Sequence, residues 1–419
     1  MSDLCGNTET KGPAHRRAWR RVAKHGEAII LDLGSADPFG EARAVEITAA
    51  GWRLLEPGAV PVAFFSPHHA LPLPEPIAGA ARFDDLARFV NCAKAELPAV
   101  WAWLVAALRP FEDGGAYPIL ALTGESGSGK TLATRFLQSL VDPSSLWGVA
   151  LPRVARDIYE SRGARHLLAY DNLSGLRGDM ADALCRVATG GAFVRRALFS
   201  DVEGAAMMAL NPQLINGITA SFAARPDVAE RCIAVELSRP AHFIPQGELI
   251  AQWKAARPGL LGLICDGLSA ALRNLDRVTL EGEAPRMGDA ALWVVAAAQG
   301  LGIEPGAMVA AWRGSRLLAD RAAVAGDGLA RAAVALVAEM EAWGQPLWRG
   351  DPAATKSALE AIAGESAWRA HTWPASSAEM ALRLKRLAPV LHAAEGIEIE
   401  SGHDNAGRWI SLRRLPEAA

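Results

Sequence analysis

Residues 123–131 read TGESGSGKT, and the reading of this stretch decides the fold. Gly124, Gly129, Lys130 and Thr131 satisfy the pattern G-x-x-x-x-G-K-[ST], with Glu125, Ser126, Gly127 and Ser128 between them. The residue types suit triphosphate chemistry. Glycines let backbone N–H groups turn inward around phosphate oxygens, and a helix opening near Lys130 adds its positive dipole end. Lys130 is placed for the β- and γ-phosphates and the Thr131 hydroxyl for Mg²⁺. The flanks agree: YPILALT is an apolar strand and TLATRFLQSL a helix. ATP and Mg²⁺ are therefore the expected cofactors.

Such a loop needs an acid at the tip of a neighbouring strand to anchor the metal. HLLAYDN supplies Asp171, whose other possible use is to cap a helix beginning near Ser174. The next residue is Asn172, which can orient water but cannot accept a proton. Glu125, Asp179 and Asp182 remain open as the general base. LNPQLINGI ends a strand at Asn216, a polar tip suited to sensing a γ-phosphate. Two β-prone runs, 192–199 and 205–210, predict a hairpin carrying Arg195 and Arg196, which would point to opposite faces. Either these two contact DNA or they are a solvated surface pair. ARPDVAERCIAVEL offers Arg225 and Arg231, either of which could reach a nucleotide on an adjacent subunit.

Taken in this order, the motifs resemble the helicase ATPases of superfamily three, a branch of the AAA+ proteins of viruses, phages and mobile elements. More narrowly, GESGSGK, DNLSGL, ALCRVATGG and NGI resemble the ATP-binding proteins of phages and prophages. The resemblance covers about residues 115–240. It implies a parallel-sheet α/β core, phosphate binding by Gly124–Thr131, and Mg²⁺ binding by Asp171 with Thr131. It further implies a DNA-contacting hairpin at Arg195 and Arg196, a sensing Asn216, and Arg231 acting across a subunit boundary. The implied assembly is a hexameric ring on single-stranded or forked DNA in replication, working beside a partner such as a primase. Asn172 departs from the superfamily, which has an acid there.

Around this core the chain divides by pattern. Residues 1–25 read as a disordered or basic segment in which HRRAWRRVAKHG could form one short helix, and 26–80 as a small β-rich module. Residues 81–114 suggest two linking helices, 115–240 the ATPase core with SLWGVAL a weak strand, and 241–350 a helical region. Residues 351–419 outline a winged helix: Met380, Leu384, Leu387 and Leu391 mark a helix face with Arg383, Lys385 and Arg386 among them. The strands GIEIE and RWISLRR follow, and the domain could dock on DNA or on protein.

The 419 residues carry a formal charge of −3, so bulk charge does not argue for nucleic acid. Five cysteines, scattered and without a C-x-x-C pair, argue against disulfides and zinc, and for a reducing compartment. The start is polar throughout and apolar runs such as Leu97–Leu108 are short, so a cytoplasmic protein without a membrane span is expected. Trp101, Trp103 and Trp147 suit core packing or base stacking, while His68 and His69 lack partners at metal spacing. Two readings compete with a motor: a slowly hydrolysing, nucleotide-gated DNA binder or loader, and a regulatory or defence ATPase with a protein partner.

Overall fold

The computed structural model describes residues 18–34, 43–56, 58–110, 115–161, 165–173, 175–196, 204–217, 226–280, 285–365, 373–405 and 407–416. The chain divides into two compact units, Met1–Ile218 with Glu230–Ser315, and Thr219–Ala229 with Arg316–Ala419.

The first unit opens with β1 (Ala18–Trp19), β2 (Val22–His25), β3 (Ala28–Gly34), β4 (Arg43–Thr48), β5 (Gly51–Leu55) and β6 (Ala63–Phe64). Strands β2 to β5 form an antiparallel meander, and β1 pairs in parallel with β6. The short basic helix expected over this region is replaced by β1 and β2. Val22 and Ala23 are buried and β2 is hydrogen-bonded along β3, so sheet pairing overrides local helix propensity.

A buried ionic cluster ties these N-terminal strands to Asp142 and the His166–Leu167 segment of the same unit. Arg21 donates through Nε and NH2 to Asp142 Oδ1 at 3.1 and 3.0 Å, and through NH1 to the Asp32 carbonyl at 3.2 Å. Asp142 Oδ2 accepts from the His166 and Leu167 amides at 2.8 and 3.2 Å. Burial pushes the Asp142 carboxyl up, but Arg21, His166 and these donors outweigh it and hold it below the usual carboxylate range.

The central sheet holds β7 (Ile119–Gly124), β8 (Leu168–Leu173), β11 (Gln213–Gly217) and β12 (Cys232–Leu237). Its order is β12-β7-β11-β8, with every pairing parallel. Parallel strands covered on both faces read as continuous apolar runs, and YPILALT and CIAVEL do so. The helix Leu97–Ala107 is buried along its whole length, with Trp101 and Trp103 fully enclosed. The strand expected at SLWGVAL does not form, because Gly148 takes a left-handed φ of 65° that breaks the extension. The helix expected near Ser174 begins instead at Gly178. A separate antiparallel hairpin joins β9 (Gly191–Arg196) and β10 (Gly204–Ala209), pairing Arg196 with Gly204.

Among the described residues one helical segment, Gln246–Arg277, is long and apolar enough to cross a membrane. Leu260, Leu261, Ile264, Cys265 and Leu268 on it are buried within the unit, as in a core helix.

The second unit contains the helices Gly328–Ala342, Pro352–Ala363 and Ser377–Glu395, capped by Asp327, Asp351 and Ser376. They pack on a three-stranded antiparallel sheet, ordered β13 (Leu347–Gly350), β15 (Gly407–Arg414), β14 (Ile397–Asp404). The helix Ser377–Glu395 is followed by the antiparallel pair β14–β15, and Met380, Leu384 and Leu391 lie buried in their core. The boundary expected at residue 351 falls too late. Leu329, Ala333 and Leu336 join the same core, and β13 completes the sheet. Several cations of this sheet and helix are matched by acids: Arg413 to Glu398, Arg414 to Glu341, Arg349 to Asp404 and Arg383 to Asp327.

Truncating Arg21 leaves the Asp142 charge buried without its cation. Arg21→Ala is expected to lower stability by about 3–5 kcal/mol, read from the denaturant midpoint; a loss under about 1 kcal/mol would show the cluster to be incidental.

Candidate functional site

The glycine loop leaves β7 at its C-terminal end and enters the helix Lys130–Val141. Gly124, Gly127 and Gly129 all have positive φ, at 133°, 86° and 83°. A Cβ on Gly124 would lie 2.2 Å from the Leu237 carbonyl oxygen, so only glycine fits beneath this turn. Glu125, Ser126 and Gly127 are exposed, whereas Ser128 is fully buried and its Oγ has no hydrogen-bond partner. Lys130 Nζ donates to the carbonyls of Gly124 and Glu125 at 2.8 and 2.7 Å, which folds its ammonium back over the loop.

Three side chains meet beside the first turn of that helix. Thr131 Oγ1 donates to Asp171 Oδ1 at 3.0 Å. Asn216 Nδ2 donates to the same Oδ1 and to Thr134 Oγ1, both at 2.7 Å. Asn216 Oδ1 in turn accepts the Asn172 N–H at 2.8 Å. Asn216 is only 1% exposed, so it orders Asp171 from beneath. The sequence marked Asn216 as a strand-tip sensor; its contacts are those of a brace between strands.

Asn172 is the one non-glycine residue with positive φ among the described residues, at 57°. Asn tolerates the left-handed region better than Glu does, which gives a backbone reason for the missing acid. Of the other candidate bases, Asp179 is bound by Arg177, whose hydrogen bond holds its carboxyl below the usual range. Glu125 lies 3.4 Å from Arg239, and Asp182 is exposed on its helix.

Arg231 is not brought to this cluster. Cys232 pairs with Ile119 and Leu237 with Gly124, so Arg231 lies at the opposite end of the sheet, roughly 20 Å from the loop at about 3.3 Å per residue. Arg225 and the hairpin tip 197–203 lie outside the described residues, as do the side chains of Arg195 and Arg196. Their backbone sits on β9, opposite Ala205 and Gly204. Among the described residues no group of three or more His, Cys, Asp or Glu is placed to hold a metal.

Two residues at the loop escaped the sequence reading. Arg239 donates through Nε to the Ser126 carbonyl at 3.2 Å. The Asn91 amide would lie 3.4 Å from a Cβ on Gly129, and the Asn91 carbonyl accepts from Ser238 at 2.7 Å. The available signal for Arg239 was its place two residues past β12, at the sheet's carboxyl edge, where ligands gather in open α/β sheets. Nothing in the local pattern marks Asn91.

Residues 83–310, more than half of the chain, match the family described as actinomycete integrative conjugative element replication protein. The chain belongs to that family. Residues 329–419 match the C-terminal domain described for the same family's RepA, and the stretch between the two matches contains the boundary between the compact units. This replication family belongs to an integrative element rather than to the phage proteins whose motifs the chain resembles. No curated protein matches the chain. Among solved structures, an A-form apo structure of the NrS-1 C-terminal region aligns with 90% of this chain and 95% of that one, at 10% identity and a TM-score of 0.37. A second apo structure of that region covers 90% and 95%, at 8% identity and a TM-score of 0.36. Scores of this size lie below the level at which two folds count as the same. Family membership places the protein in DNA replication, with DNA as its partner.

Replacing Asn216 removes the brace and strands the Thr134 hydroxyl and the Asn172 amide. Asn216→Ala is expected to cost about 1–3 kcal/mol in unfolding free energy. An unchanged denaturant midpoint would mean the three contacts contribute nothing to stability.

Proposed function

We propose that this replication protein is an ATP-driven motor of the helicase or translocase type, acting on single-stranded or forked DNA as a ring with superfamily-three-like AAA+ architecture. The supporting observation is the meeting of Thr131 and Asp171 at 3.0 Å beside a glycine loop. A hydroxyl and a carboxylate at that spacing are the oxygen donors that Mg²⁺ prefers.

The loop also fits a triphosphate. The buried Ser128 Oγ lacks a partner, and open space surrounds Gly127. Lys130 now rests on two loop carbonyls and is free to exchange them for phosphate oxygens. In this reading the amides of Glu125–Lys130 and the Lys130 ammonium bind the phosphates, while Thr131 and Asp171 hold the metal. Bound Mg²⁺ supplies charge neutralisation on the phosphoryl oxygens. Asn216 keeps the Asp171 carboxylate oriented, and Asn172 can orient water but not deprotonate it. Arg239, already on the loop, adds a cation in the same subunit. Arg231, at the far end of the sheet, is suited to a nucleotide on a neighbouring subunit. Hydrolysis would then shift the β9–β10 hairpin bearing Arg195 and Arg196.

A specific observation favours a second reading. The left-handed backbone at Asn172 leaves no acid at the position that activates water in related enzymes, which suits a slowly hydrolysing DNA loader. Single-turnover hydrolysis with and without single-stranded DNA separates the two: strong stimulation by DNA supports the motor, and none supports the loader.

Lys130→Ala is expected to lower ATP turnover by at least about 100-fold, as removal of a transition-state charge contact does; turnover near wild type would overturn the site. Arg195→Ala with Arg196→Ala is expected to weaken single-stranded DNA binding while sparing basal hydrolysis. Retention of full DNA affinity would remove the hairpin from the mechanism.

A further inference from the structure

A groove of about 460 Å³ opens on the first unit, sharing no lining residue with the glycine loop. Three cations line it, Arg135, Lys254 and Arg257, and no carboxylate does. None of the three forms an ion pair among the described residues, whereas other surface arginines such as Arg156, Arg239, Arg286 and Arg349 do. Arg257 donates to the Ser139 carbonyl at 2.8 Å, yet its Nε is shut away from solvent with no partner. Loss of hydration, with the Arg21 charge nearby, pushes the Arg257 pKa down to about 10. A half-buried cation left in this state gains from any anion that enters.

The groove also holds Trp147. Trp101 and Trp103 are enclosed in the core, but Trp147 keeps 47% of its surface exposed. The Arg135 guanidinium lies 4.5 Å from its ring centroid. An exposed indole stacked on a guanidinium, beside unmatched cations, is a surface for an aromatic base with its phosphate. The volume falls within the usual range for a small-ligand cleft.

We infer that this groove is a second nucleotide site, taking a base against Trp147 and the attached phosphate on Arg257 and Lys254. The base and phosphate come either from a residue of a single strand or from a free nucleotide. The site is separate from the proposed hydrolysis and stands if that reading fails.

The test uses the full chain carrying Lys130→Ala, so that any nucleotide response comes from outside the glycine loop. Binding of fluorescein-labelled (dT)₂₀ is followed by anisotropy across a salt series, and binding of dTMP by quenching of tryptophan fluorescence. Trp147→Ala is expected to weaken one of the two ligands by about tenfold, the loss of one base stack. Trp147→Phe, which keeps an aromatic face, should stay within about threefold of the parent on the same scale. Lys254→Ala should reduce the salt slope for (dT)₂₀ by about 1 if the strand is the ligand. Loss confined to (dT)₂₀ assigns the groove to a strand, and loss of saturable dTMP quenching assigns it to a free nucleotide. Thermal unfolding of each variant checks folding; both substituted side chains are exposed. Unchanged affinity of Trp147→Ala for both ligands, or the absence of binding by either in the parent, overturns the inference.

Discussion

One oxygen atom organises the first unit's chemistry. Asp171 Oδ1 accepts from Thr131 on the helix after β7 and from Asn216 on β11, while Asp171 itself lies in the C-terminal half of β8. Three segments that are distant in sequence converge on it. The order β12-β7-β11-β8 makes this possible, because it sets β11 between the loop strand and the acid strand. An Asn at the β11 tip can therefore reach both sides, to Thr134 on one and to the Asn172 amide on the other. A longer side chain there would push Asp171 away from Thr131, and a shorter one would leave buried groups unpaired.

The same constraint accounts for the loop's composition. β12 runs so close to the end of β7 that the Leu237 carbonyl occupies the space a Cβ on Gly124 would need. Parallel pairing of β12 with β7 continues through Leu237 and Gly124, so the turn must leave the sheet abruptly. The positive φ at Gly124, Gly127 and Gly129 makes that exit and turns the backbone of this segment over itself.

Much of this was legible from residues because the chemistry is local. The glycine spacing, the strand before it and the helix after it lie within a short window, and Asp171 ends an apolar run of its own. The C-terminal helix showed its face through Met380, Leu384 and Leu391 for the same reason. What could not be read came from long-range pairing. Residues 18–25 have the composition of a basic helix, and only β3, supplied later in the chain, draws β2 into a sheet. Arg21 looks like one surface arginine among many until Asp142 is brought to it from 121 positions away. Arg239 and Asn91 reach the loop by the same route, through sheet topology rather than through motif. Gly148 misled in the other direction: an apolar run suggested a strand where a left-handed turn stands.

That turn links the two sites. Trp147 precedes Gly148, and a Cβ on Gly148 would lie 3.4 Å from Asp171 Oδ2. The Asp171 amide also donates to the Val149 carbonyl at 2.9 Å. A ligand that shifts Trp147 therefore acts on the segment holding the second oxygen of the carboxylate proposed to anchor Mg²⁺. The other wall of the groove includes Arg135 and Ser139, which belong to the helix that begins at Lys130. Both routes from groove to glycine loop pass through short connections, a tight turn and a single helix. Packed elements of this kind pass on displacement rather than absorb it. If both proposals hold, occupancy of the groove and geometry at Asp171 bear on the same segment, Trp147–Val149.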